Sequence, residues 1–208
     1  MKKLTTVLMT PLMTLGLVAA SLVLLAAPAD SAAPRWRAGI TFDKNPKNPA
    51  DSRLIWRLYK RTGGKWKVVE TRRWRAGSGM LGKAGRNSCV NNKGWLPNGT
   101  YRVRQYDDYH GQKIKGRAFR LDDKACSTGN RRFDLFVHTE QGAANRQCKN
   151  RRGDQLCRWE LPAFNEYKSA GCIKLAPADL RQLVAVYHRH FAAGVRYAKG
   201  RVVLRVKS

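Results

Sequence analysis

Apolar and polar residues change their rhythm several times along this chain. Residues 7–27 are almost continuously apolar, interrupted by Pro11, with Lys2 and Lys3 ahead and Ala27-Pro28-Ala29 behind. A basic start, an apolar run and a small-x-small site describe a secretory signal, expected over residues 1–29. The run is also long enough to span a bilayer, so an uncleaved anchor is the alternative. Residues 30–52 are rich in Pro, Asn, Lys and Ala, and with Asn45-Pro46-Lys47-Asn48-Pro49 they read as an irregular tether.

From Arg53 the period becomes two. Leu54, Trp56 and Leu58 alternate with Arg57 and Tyr59, Thr62-Gly63-Gly64 turns the chain, and Trp66-Lys67-Val68-Val69 returns it, which is a hairpin pattern. Arg73 to Ala76 adds a short strand before Gly77-Ser78-Gly79, which lacks the phosphate-loop pattern and reads as flexible loop. Pro97-Asn98-Gly99 forms a turn into the alternating Tyr101-Arg102-Val103-Arg104. Further strands are expected at 114–121, at Phe133 to Val137, and at Arg201 to Val206. Residues 139–168 show little periodicity and read as a long insertion, which in a compact domain is more often functional than idle. Pro177 suits a first helical turn, and Leu180, Leu183, Val184, Tyr187 and Phe191 then share one helical face, with Gly194 placed to end it. The expectation is a mainly β domain over residues 53–208 with one amphipathic helix after Cys172.

Charge adds a partner to this picture. Lys and Arg number 41 against 14 acids, a net charge of +27, so a polyanionic neighbour is expected: anionic wall polymers or a membrane surface for an exported protein. Trp36, Trp66, Trp74 and Trp95 interleave with basic residues in a manner that suits base stacking. They fall on strands, however, where packing is the commoner role, so nucleic acid is not the expected partner. A monomer is expected. His188 and His190 ride on the helix as surface residues, and neither a metal nor an organic cofactor is called for.

Five cysteines in an exported chain leave one thiol over if disulfides form. Cys148 and Cys157 close a short Arg-rich loop, and Cys89 and Cys126 suit a second bridge. Two other pairings of these four remain open. Cys172 is the expected free thiol. It follows Gly171 directly and precedes a short apolar run, while Phe133-Asp134-Leu135-Phe136-Val137 ends on His138. A thiol and an imidazole on two strand-like segments are the parts of a Cys–His nucleophilic site, in which the histidine takes the thiol proton and a third acceptor orients the histidine. Thr139, Ser169 or a backbone carbonyl are candidates for that acceptor. Gly171 allows close backbone approach, so the amides of Gly171 and Cys172 are candidate oxyanion donors.

Ser169-Ala170-Gly171-Cys172-Ile173-Lys174-Leu175 resembles the Ser-His-Gly-Cys-x-Arg/Asn signature of the L,D-transpeptidases, the YkuD-like enzymes. Pro97-Asn98-Gly99-Thr100-Tyr101 is similar to that family's turn before a strand, and Leu135-Phe136-Val137-His138-Thr139 to its strand ending in the catalytic histidine. Ala170 stands where the signature has histidine, Lys174 where Arg or Asn is usual, and the interval from His138 to Cys172 is about twice the usual one. The resemblance implies a β-sandwich or barrel of mixed sheets. It also implies Cys172 attack on a peptidoglycan stem peptide with release of D-Ala, and acylation of Cys172 by carbapenem-type inhibitors. Lys174 and Tyr167, flanking the motif, are the expected substrate contacts. With water as acceptor the same site is an L,D-carboxypeptidase. Without a reactive thiol the protein is a cationic wall-binding module with a decayed site.

Overall fold

The structure, a computed structural model, describes residues 35–148, 155–159, 167–192 and 201–207. The chain divides into Met1–Ala33 and Pro34–Ser208, and all described residues lie in the second unit. The strands are β1 (Trp36–Asp43), β2 (Ser52–Thr62), β3 (Lys65–Ala76), β4 (Gly99–His110), β5 (Lys115–Leu121), β6 (Lys124–Ala125), β7 (Arg131–Arg132), β8 (Phe136–His138), β9 (Ile173–Lys174) and β10 (Val202–Lys207). Among the described residues two α-helices accompany them, the single turn α1 (Gly82–Arg86) and the long α2 (Pro177–His188). The fold is mainly β, with one large mixed sheet and one main helix.

The large sheet runs β3-β2-β1-β10-β4-β5-β8-β9, with β1 and β10 parallel, β8 and β9 parallel, and the other neighbours antiparallel. Just past the end of β3, Gly77 bridges to Lys174 of β9. The two ends of the sheet therefore meet. On the inner face Ile40, Phe42, Leu54, Trp56, Tyr101, Phe119 and Leu204 pack against Leu180, Leu183, Val184 and Tyr187 of α2. The Phe119 and Tyr187 rings meet edge-on at 5.4 Å. Each such side chain contributes about 1.5–3 kcal/mol through burial, so the helical face read from the sequence is what fixes α2 to the sheet.

Two expectations change here. Trp36–Asp43, expected within an irregular tether, is an inner strand between β2 and β10. Its inward residues Ala38, Ile40 and Phe42 do alternate, but the run is short, and one of its partners lies at the other end of the chain. The segment from Lys65 to Ala76, expected as two short pieces, is one continuous strand. The turn at Asn45 to Pro49 is irregular as expected, held by Asn45 Oδ1 accepting from the Lys47 and Asn48 amides. Helix α2 ends at His188; Gly194, the expected terminator, lies outside the described residues.

Both expected disulfides are present, Cys89–Cys126 and Cys148–Cys157, with Cα atoms 5.3 and 5.2 Å apart. Cys172 is the free cysteine. Two disulfides fit an oxidising, extracytoplasmic compartment.

Candidate active site

Strand register decides where the two reactive groups go. Val137 pairs with Ile173 and His138 with Lys174 in a parallel ladder, and on the other side Ala118 pairs with His138. Side chains alternate along a strand and paired residues share a face. Ile173, Val137 and Phe119 belong to the inner core. Lys174, His138 and Phe136 therefore share the outer face; Cys172 directly precedes β9, and alternation continued by one residue puts it on that face, diagonal to His138 across one strand spacing. A diagonal of about 7 Å between backbones is within reach of an imidazole.

The imidazole is held in one tautomer. His138 is buried, and its Nδ1–H donates to the Thr139 carbonyl at 2.9 Å, which leaves Nε2 with a lone pair for a proton. The expected third group is thus the Thr139 backbone carbonyl; the Thr139 hydroxyl is buried with no hydrogen-bond partner among the described residues. Burial, followed by the nearby Lys174 charge, pushes the His138 pKa down to about 4, with the Thr139 carbonyl acting in the opposite direction. The Cys172 thiol is half-buried and donates to the Asp134 carbonyl at 3.5 Å. Burial raises its pKa to about 11, against the lowering influence of the Phe136 amide and of the Lys174 and Arg132 charges. At neutral pH both partners are uncharged.

The loop that presents Cys172 is fixed from several sides. Ser169 Oγ donates to the Cys172 carbonyl at 2.6 Å and accepts from the Gly171 and Gly79 amides, each at 3.1 Å. Ser169 is a loop organiser here, not the orienter of His138. The Gly171 amide, a candidate oxyanion donor, is committed to Ser169. Gly171 has φ +129°, and a Cβ there would meet Arg132 Nη2 at 2.4 Å, so glycine is required both by its backbone angle and by the close approach. Ala170 is exposed at the front of the loop.

Of the expected substrate contacts, Lys174 is buried with its ammonium on Glu140 Oε1, a buried ion pair beside His138. Tyr167 is also buried, its ring edge-on to Trp159 at 5.0 Å and under the Arg75 guanidinium at 4.2 Å. Both act as supports for the site. In the insertion at 139–168, Gln147 bridges Glu140 to Trp159, and Asn145 is tied to Arg117 and Asp107 of the β4–β5 pair.

Several supporting residues were not singled out in the sequence. Arg132 reaches the Ser88, Gly94 and Ala170 carbonyls; nothing distinguishes it from its neighbours in a chain with 41 basic residues. The Gly77-Ser78-Gly79 stretch, expected to be flexible loop, is a clamp. Gly77 exchanges backbone hydrogen bonds with Lys174, Ser78 Oγ donates to the Gly171 carbonyl, and the Gly79 carbonyl accepts from Ser169. A Cβ on Gly77 would sit 2.0 Å from the Tyr167 carbonyl oxygen. Small residues there signal close approach of two backbones rather than mobility.

The remaining candidates have structural partners. Trp74 and Trp95 are buried, Trp36 packs against the core, and Arg37 lies over the Trp66 ring at 4.6 Å. His188 bonds Asp107, and His190 stacks on Trp36.

No family model matches this chain, and no curated protein matches it. Among solved structures, Bd1075 of Bdellovibrio bacteriovorus is similar over 84% of this chain and 48% of its own, with 12% identity and a TM-score of 0.42. This chain thus spans about half of that protein's length, and a likeness this remote bears neither on fold nor on activity.

Proposed function

We propose that the protein is a cysteine acyltransferase of the L,D-transpeptidase type, acting on peptidoglycan stem peptides. The observation that carries this reading is the parallel register of β8 and β9, which puts a free thiol diagonal to an imidazole whose Nδ1–H is already engaged. In this scheme His138 Nε2 takes the Cys172 proton as the sulfur adds to the carbonyl preceding a terminal D-Ala. The C–N bond breaks, His138 returns the proton to the leaving amine, and a thioester remains. An amine from a second stem then attacks that carbonyl and expels the sulfur, with His138 again carrying the proton. Water in place of the amine gives the carboxypeptidase variant. The basic surface would hold the protein against an anionic envelope.

The test is the intact mass of the protein after incubation with a carbapenem, beside Cys172→Ala. An adduct on the wild type alone is expected, and muropeptide products then separate transfer from hydrolysis. A folded wild-type protein that takes no adduct and turns over no stem peptide would refute the reading in favour of a cationic wall-binding module.

A further inference from the structure

A groove of about 350 Å³ lies across β4 and β5, lined by Arg102, Arg104, Arg120 and Arg131 with Asp122 and Asp123 among them. Arg104 and Arg120 are direct cross-strand partners. Like charges facing each other across a ladder cost stability, and these two are not neutralised equally with their neighbours. Arg102 is paired with Asp122 at 3.2 Å. Among the described residues, Arg120 has only a long ion pair with the exposed Asp134 at 3.7 Å, and Arg104, lying over the Tyr106 ring at 4.9 Å, buries an Nε without a hydrogen-bond partner.

The groove is on the reactive face. Arg120 pairs in register with Phe136, so it shares the outer face with Phe136, His138 and Cys172. Asp134 joins the two regions, its carboxylate toward Arg120 and its carbonyl toward the Cys172 thiol. Strand β7 joins them again, with Arg131 lining the groove and Arg132 holding the Ala170 carbonyl.

We propose that this groove is the anion subsite of the Cys172 site, where Arg104 and Arg120 grip a carboxylate of the peptide whose carbonyl faces the thiol. The proposal rests on the acyltransferase reading for the identity of the peptide. Planar guanidinia side by side suit the two oxygens of a carboxylate. A bound anion also relieves the cross-strand repulsion, so the site gains from binding what the empty sheet loses.

The experiment measures binding of a stem tetrapeptide with free carboxylates to the full chain carrying Cys172→Ala, with and without Arg104→Gln/Arg120→Gln, at low ionic strength by calorimetry. Charged hydrogen bonds of this kind are individually strong, so Kd should rise about tenfold or more in the double variant. The carboxamide form of the same peptide should bind both proteins alike. An unchanged Kd for the acid peptide refutes the groove and leaves the acyltransferase reading standing. Arginine-dependent binding of a glycerol phosphate polymer, with the peptide indifferent to the arginines, also refutes it and gives the groove to wall phosphates. Arginine-dependent peptide binding with no adduct or turnover in the wild type keeps the subsite and removes the enzyme. No peptide binding to the intact groove overturns both.

Discussion

Protonating His138 should cost this fold a measurable share of its stability. The imidazole is buried beside the Lys174 ammonium, and its pKa falls from 6.5 to about 4. In the unfolded chain it titrates near 6.5. Between those values the unfolded state binds a proton that the native state refuses, so stability falls as pH drops. The contribution is fully present above pH 6.5, is lost progressively toward pH 4, and changes no further below that. At about 1.4 kcal/mol per unit, the loss is about 3 kcal/mol. Other groups titrate in the same window, and the clean quantity is therefore a difference between two proteins. His138→Asn retains an amide NH able to donate to the Thr139 carbonyl but cannot take a proton. Urea midpoints of both proteins, measured from pH 7.5 to 3.5, should converge or cross as pH falls, the gap shifting by about 3 kcal/mol in favour of the variant. A gap that stays constant within 1 kcal/mol would refute the account of a buried, neutral His138.

The thiol supplies an independent check. With its pKa near 11, Cys172 should alkylate slowly with iodoacetamide at pH 7 and gain about tenfold per pH unit up to about pH 10; a rate flat from pH 5 to 8 would mean a resting thiolate–imidazolium pair instead. Ser169→Ala strips one donor and one acceptor from the Cys172 loop and leaves the Gly171 and Gly79 amides and the Cys172 carbonyl without it, so about 2–3 kcal/mol of stability and most of the turnover should go together. Lys174→Met leaves Glu140 buried against an apolar chain and should destabilise by about 3–5 kcal/mol; adding Glu140→Gln should recover part of that loss, and no recovery would show that the pair is not coupled. If the insertion acts as a lid, Cys148→Ser/Cys157→Ser should lower turnover while the thermal midpoint of the sheet stays in place, and unchanged kinetics would exclude that role.

How much of this was legible beforehand depended on whether the information was local. The β2–β3 hairpin, the turn at Pro97 to Gly99 and the apolar face of α2 follow from periodicity and turn chemistry, which are properties of a few adjacent residues. The short Cys148–Cys157 closure and the free Cys172 were the favoured reading of the cysteines, but two other pairings stayed open until folding brought Cys89 against Cys126. His138 and Cys172 were readable as candidates because reactive side chains are rare in a chain dominated by Lys and Arg. What the sequence withheld is all long-range. β1 looked irregular since its parallel partner β10 enters from the far end of the chain. Gly77, Ser78 and Gly79 looked loose until β9 came within hydrogen-bonding distance, and Lys174 and Tyr167 looked like substrate contacts until folding buried them against Glu140 and Trp159. Arg132 and the paired Arg104 and Arg120 became distinct from other arginines only through the carbonyls, carboxylates and strands that folding brings against them. Residue type and spacing determined which groups could react; strand register and burial decided which of them meet, which way each points, and what charge each carries at neutral pH.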